Sequence, residues 1–123
     1  MTRGHADRIF LRGLLVHARI GSGDDAALQS LVVDLEVAIE LGKAAASDAL
    51  ADTTNYADLA RVIADTVSAG KHLGLGAAAA AAADGVLTTE RKVSEVKLTL
   101  RNPRAVLDRP VDQIGVTVVR NRL

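Results

Sequence analysis

Few residues of this chain are of types that do chemistry, and none of them forms a familiar motif. The chain has no cysteine, which excludes a thiolate metal site. Its three histidines, His5, His17 and His72, lie far apart and lack metal-ligand spacing, so we expect no metal and interpret His17 as a strand residue. The spaced glycines of 70–76 are not preceded by a strand in a parallel βαβ context, so they do not predict a dinucleotide site.

The remaining candidates are a tyrosine, an asparagine and two turn aspartates. Tyr56 is the only tyrosine, and it could donate a hydrogen bond in a site or pack a helix start against a neighbouring chain. Asn102 precedes Pro103, where it could be a hydrogen-bond donor or a turn residue. Asp24 and Asp25 follow Gly23 in a turn, where solvated turn residues are the simpler interpretation.

Composition narrows the class of protein. The 123 residues predict a single domain, 1–123, with 1–6 expected to be flexible. The charges of fifteen basic and fifteen acidic residues cancel, and the sequence contains no basic patch, so we expect no nucleic-acid partner. We find no stretch apolar enough for a signal peptide or a membrane span, and the missing cysteine fits a cytoplasmic protein. Aromatics are only 2% of the chain, so its small side chains bury little area and favour association between subunits.

Hydrophobic periodicity predicts the order ββααββ. A period of two indicates strands. Thr54-Asn55 offers an N-cap for a helix whose spacing ends at Gly70, and seven consecutive alanines, Ala77–Ala83, favour a second helix. Gly13 interrupts the first strand where a bulge or bend would fit. A four-stranded antiparallel sheet with two helices on one face, an α+β architecture, buries this pattern most simply. The elements are strands at Arg8–Ile20 and Leu31–Leu41, a helical turn at Lys43–Leu50, helices at Tyr56–Val67 and Leu75–Leu87, and strands at Val93–Arg101 and Ile114–Arg120.

Several segments of the sequence together resemble a known family. These segments are Asp7–Leu14, Val16–Ala18 with Ile20-Gly21, Val32–Leu35, Ala45–Thr53, Asn55–Ala60 and Pro103–Ala105. They resemble the dihydroneopterin aldolases, which adopt the tunnelling fold. The similarity runs from about Asp7 to Arg120 and is most specific in the central stretch that ends at Asn55-Tyr56. The resemblance implies a homo-oligomeric barrel, a tetramer or an octamer, with active sites between subunits. It also implies a retro-aldol cleavage of dihydroneopterin without metal or organic cofactor.

The polar positions on which that family chemistry depends are mostly changed here. Tyr56, which the resemblance places across a subunit interface, is kept after Asn55. The family glutamate beyond the first strand is missing, and Asp24 or Asp25 could replace it only from a shorter loop. The glutamate that recognises the pterin falls at Gly76 or Ala77, and the family lysine falls at Asn102. Without the carboxylate of that glutamate, hydrogen-bond donors of the pterin ring would stay unpaired, so we expect weakened pterin binding.

These changes lead to three hypotheses of function. The first is a repurposed member of the family that binds, and transforms without a cofactor, a relatively apolar small molecule in a pocket between subunits, beside Asn55 and Leu75–Ala77. A cyclisation or rearrangement in specialised metabolism, with Tyr56 and Asn102 polarising a carbonyl, would fit such a pocket. The second is a true aldolase or epimerase of folate biosynthesis with relocated groups. The third is a non-catalytic partner subunit of an active paralogue.

Overall fold

A computed structural model describes residues 7–21, 27–104 and 107–122. Four strands form one antiparallel sheet in the order β1-β2-β3-β4, and the helices follow β2 along the chain. The ββααββ order and the α+β fold predicted from the sequence are thereby confirmed. The elements are β1 Arg8–Arg19, β2 Leu28–Ala38, α1 Gly42–Ser47, a 3₁₀ turn Leu50–Asp52, α2 Tyr56–Ala69, α3 Leu75–Thr89, β3 Glu95–Asn102 and β4 Ile114–Asn121.

One face of the sheet is buried under the helices, and the other carries charged and polar side chains together with exposed apolar ones such as Phe10 and Leu15. Alternate residues of the two central strands supply the apolar face, because successive strand side chains point to opposite sides. On α2, Leu59, Ile63 and Val67 recur every four residues and are fully buried. The alanines of α3 let that helix approach the sheet closely, and Ala78, Ala79, Ala82 and Ala83 are buried there with Val86. The buried strand residues are Leu31, Val33, Leu35, Val37, Val96, Leu98 and Leu100.

A β-bulge at Gly13 changes which residues of β1 face the helices. Leu11 pairs with Leu35, but Leu14 pairs with Val33, so β1 carries one extra residue at this point. Gly13 has a φ of +77°, and its N–H donates to Asp34 Oδ1 at 2.8 Å. Because of the extra residue, odd-numbered residues pack on the core before the bulge and even-numbered residues do so after it.

The boundaries of several elements differ from those predicted. The strand predicted at Leu31–Leu41 begins three residues earlier and ends at Ala38, because β1 begins at Arg8, the residue that pairs with Ala38. The helical turn predicted up to Leu50 ends at Ser47. Asp48 there adopts a left-handed conformation with φ 56°, and its N–H closes the helix on Ala44 O.

The segment that leads into α2 packs on itself. Among the described residues, α1 and the 3₁₀ turn contact each other and no other helix or strand. Asp52 of the 3₁₀ turn joins the two short elements by accepting hydrogen bonds from Ser47 and Lys43. These hydrogen bonds lower the pKa of Asp52. Asn55 then caps α2 by accepting from the Ala57 N–H at 2.9 Å, as its position in the sequence indicated. Leu50 nevertheless remains 71% exposed.

We predict that Gly13→Ala destabilises the protein by about 1–2 kcal/mol, because a β-carbon is strained at a left-handed φ. No atom lies within 4 Å of the new β-carbon, so strain rather than a clash would be the cause. The free energy of unfolding in urea measures the loss. Gly76→Ala is the matched control, because Gly76 lies in α3 and its β-carbon would also meet nothing. A Gly13→Ala protein as stable as the wild type would contradict the assignment of the bulge.

Candidate active site

The strand-end cavity opens where β1 and β3 end on either side of the start of β2. Its volume is about 580 Å³, and its walls combine apolar side chains with amides, a hydroxyl and a guanidinium. Antiparallel pairing brings these groups together, because the start of β2 lies beside the ends of its two neighbours. The lining residues are Leu15, Leu28, Gln29, Ser30, Asn102, Pro103 and Arg104.

Asn102 is held in this cavity by a chain of hydrogen bonds. Its Nδ2 donates to Gln29 Oε1 at 3.0 Å, and its Oδ1 accepts from the Arg104 N–H at 2.9 Å. Gln29 Nε2 donates in turn to the carbonyl oxygen of Ile20. Asn102 Oδ1 therefore already accepts one hydrogen bond, and the amide has one N–H left to offer a ligand.

The helix-end cavity adjoins the first one and shares Leu28 with it. It has a volume of about 490 Å³ and lies between the end of β1 and the loop from α2 to α3. The Gly21 N–H donates to the carbonyl oxygen of His72 at 3.0 Å, which ties that loop to the strand. The lining residues are Ala18, Arg19, Gly21, Leu28, Ser68, Ala69, Gly70, Lys71, His72 and Leu73.

His72 packs its ring directly over Gly70. A β-carbon at Gly70 would lie 2.1 Å from His72 Nε2, so only glycine allows this approach. Within the described part of the chain, the buried Nε2 has no hydrogen-bond partner. This nitrogen faces the backbone, so the histidine contributes a wall to the cavity and no accessible nitrogen at Nε2.

The residues predicted to bind or transform a ligand do not all meet within one chain. Asn102 lines the strand-end cavity, whereas Tyr56 and Asn55 lie at the start of α2 and line neither cavity. Tyr56 is 65% exposed in its own chain. Leu75, Gly76 and Ala77 form the first turn of α3 and also line neither cavity.

Charged residues near the cavities are distributed unevenly. No aspartate or glutamate is found among the described residues that line them, while Arg19, Lys71 and Arg104 are. Asp24 and Asp25 lie outside the described residues, as does the segment 1–6 that we expected to be flexible. Arg101 points to the uncovered sheet face, as strand alternation indicated, where its Nε lies 3.2 Å from Asp34 Oδ2.

The sequence interpretation missed an imidazole–hydroxyl pair beside the cavity. Ser30 Oγ lies 3.2 Å from His17 Nδ1, and Ser30 lines the strand-end cavity. The two residues are opposite each other in the β1–β2 register. Counting that register from the bulge at Gly13 would have revealed the pair, because the bulge turns His17 to the uncovered face.

The described residues offer no cluster of metal ligands and no helix suited to span a membrane. No group of three potential ligands among histidine, cysteine, aspartate and glutamate comes together in the described residues. None of the helices formed by those residues is long and apolar enough to cross a bilayer.

Comparison with known proteins identifies the family. The model of the FolB dihydroneopterin aldolases matches residues 9–119. A dihydroneopterin aldolase of Haemophilus influenzae is 34% identical over 119 residues, covering 95% of this chain and 98% of the relative. The E. coli dihydroneopterin aldolase in complex with neopterin superposes with a TM-score of 0.84 at 31% identity, covering 94% of this chain and 99% of that one. A Burkholderia dihydroneopterin aldolase bound to guanine gives a TM-score of 0.78 at 25% identity, with 94% and 91% covered. The chain belongs to the dihydroneopterin aldolase family.

Proposed function

We propose that this chain binds a dihydropterin in the strand-end cavity and cleaves dihydroneopterin by a retro-aldol reaction, as an enzyme of folate biosynthesis. The observation that carries the proposal is the family match over residues 9–119, which includes both cavities. The neopterin and guanine of the two related structures share an aminopyrimidinone ring, so both support a site for flat, hydrogen-bonding heterocycles. Of the hypotheses drawn from the sequence, the relatives favour the aldolase or epimerase over a repurposed enzyme.

The proposed reaction needs proton transfer and little else from the protein. A base removes the proton of the hydroxyl group on C2′ of the substrate side chain. The bond between C1′ and C2′ then breaks, its electron pair enters the ring imine, and C2′ and C3′ leave together as glycolaldehyde. Return of one proton to C1′ gives the hydroxymethyl dihydropterin. Because the ring imine accepts the electron pair, the reaction is balanced without a cofactor.

The walls of the strand-end cavity suit such a ligand. Leu15 and Leu28 are both more than half exposed in the single chain and offer apolar surface to the faces of a flat ring. The remaining Asn102 N–H can donate to a ligand oxygen, and Gln29 holds that amide in place. Arg104 adds a cation on the same wall of the cavity. The family pattern has its cation, a lysine, at the position of Asn102.

A neighbouring copy of the chain would complete the site with Tyr56. Leu50 lies in the 3₁₀ turn, which together with α1 contacts no other helix or strand in the described residues, and Tyr56 is the exposed first residue of α2. The sheet also ends in two strands, β1 and β4, that each have one neighbour in the chain. Edge-to-edge pairing of these strands between copies would build a homo-oligomeric barrel of four or eight chains and would cover both edges.

A second candidate is the transformation of a more apolar, non-pterin molecule. The start of α3 favours it, because no acidic residue occupies its first turn and Gly76 faces open space. The helix-end cavity likewise has apolar walls at Ala18, Leu28, Ala69 and Leu73. None of the relatives described above is named for a cyclisation, so this candidate has less support than the aldolase.

We predict that the purified protein converts dihydroneopterin to the hydroxymethyl dihydropterin and glycolaldehyde. Chromatography with fluorescence detection measures the pterin product. Asn102→Ala should lower kcat/KM about tenfold, the effect of one lost hydrogen bond of about 1.4 kcal/mol. Asn121→Ala is the control, because Asn121 pairs with Glu95 at the opposite end of the sheet. Tight binding of an apolar ligand without any cleavage of dihydroneopterin would favour the second candidate.

We predict that Tyr56→Phe and Asn102→Ala chains complement each other in mixed oligomers. Each variant alone lacks one group in every site, whereas random mixing gives about a quarter of the sites an intact pair from two different chains. Co-expression with two affinity tags isolates the mixed oligomers, and the rate per site is then compared with that of each variant. Mixed oligomers no more active than the parents would place Tyr56 outside the neighbour's site.

A further inference from the structure

We infer that Ser30 and His17 form the proton relay of the strand-end cavity. The inference rests on the proposed function and names groups for its proton transfer. Ser30 lines the cavity, and its Oγ lies 3.2 Å from His17 Nδ1. A hydroxyl at this distance from an imidazole can pass a proton to it, which is the arrangement that activates hydroxyls in acid–base catalysis.

The other polar groups of the cavity are less suited to hold a proton. Asn102 and Gln29 are amides, and they are hydrogen-bonded to each other and to the backbone. The Arg104 guanidinium has only donors and no acceptor atom. Among the described residues that form this cavity and contact its walls, His17 is therefore the group whose ring nitrogen can accept a proton from the Ser30 hydroxyl and return it.

The backbone fixes the pair in position. His17 and Ser30 are directly opposite in the antiparallel register, on the sheet face that the helices leave uncovered. Ser68 of α2 donates to the carbonyl oxygen of His17 at 2.6 Å, which holds the strand from its other side. Both side chains are exposed, so a ligand can reach the hydroxyl without a rearrangement of the core.

The charged groups of the uncovered face near His17 lie on β1, β2 and β3, and Arg104 lies on the cavity wall. On β1, Arg19 lies on the same face, two residues beyond His17. On β2, the carboxylates of that face are held in ion pairs, and from α2 the uncharged Ser68 donates to the His17 carbonyl oxygen. These ion pairs join Asp34 to Arg101 and Glu36 to Arg8 and Arg12.

In the proposed step, the substrate hydroxyl gives its proton to Ser30 Oγ while Ser30 gives its own proton to His17 Nδ1. Cleavage of the C1′–C2′ bond then releases glycolaldehyde. Reversal of the relay returns the proton to C1′, so His17 and Ser30 end as they began. Ser30 touches the substrate and is the catalytic residue, whereas His17 acts through it as the positioning residue that holds the proton.

The test compares the pH dependence of kcat for dihydroneopterin in the wild type and in three variants of the pair. His17→Gln keeps a hydrogen bond to Ser30 but cannot hold the proton, so kcat should fall about 100-fold and lose its acid limb. Ser30→Ala should fall similarly, and Ser30→Thr, which keeps the hydroxyl, should recover most of the rate. KM should change little in all three, because the relay acts in the transition state.

Thr117→Val is the matched control, because it removes a hydroxyl that bonds Thr99 on the same sheet face, away from the cavity. Its kcat and acid limb should equal those of the wild type. An active wild type whose acid limb survives in His17→Gln would overturn the relay and leave the aldolase proposal intact. A wild type that does not cleave dihydroneopterin would overturn the proposed function, and the relay with it.

Discussion

The bulge at Gly13, held by Asp34, is the constraint on which the arrangement of the site depends. Asp34 accepts from the Gly13 N–H through one carboxylate oxygen and from Arg101 through the other, so it joins β1 to β3 across β2. Without the extra residue, the second half of β1 would turn over by one position. Ala18 would then leave the core, and His17 would enter it instead of facing Ser30.

The packing of the helices shapes the end of the molecule at which both cavities lie. The small side chains of α3 bring it close to the sheet, and the loop before it is tied to Gly21 through the carbonyl oxygen of His72. The helix-end cavity is therefore built from the end of β1, the start of β2, the end of α2 and the loop that follows it. The strand-end cavity is built from β1, the start of β2 and the end of β3 with the residues that follow it.

Much of this fold could be predicted from the sequence, and less of the site. Period-two strands, the Asn55 cap and the break at Gly13 are local signals, and the structure confirms each of them. The start of β2 at Leu28 was not predicted, because it depends on pairing with Arg19. The pair of Ser30 with His17 escaped notice for the same reason. The role of Tyr56 stays a prediction, since a single chain cannot bring it to the cavity of another.

We expect a pterin to occupy the strand-end cavity with its hydroxylated side chain beside Ser30. A crystal structure of the oligomer with neopterin would test this placement. We predict neopterin in that cavity, with a side-chain hydroxyl within hydrogen-bond distance of Ser30 Oγ and Tyr56 of a neighbouring copy close by. Neopterin bound elsewhere, or bound with its side chain directed away from Ser30, would contradict it.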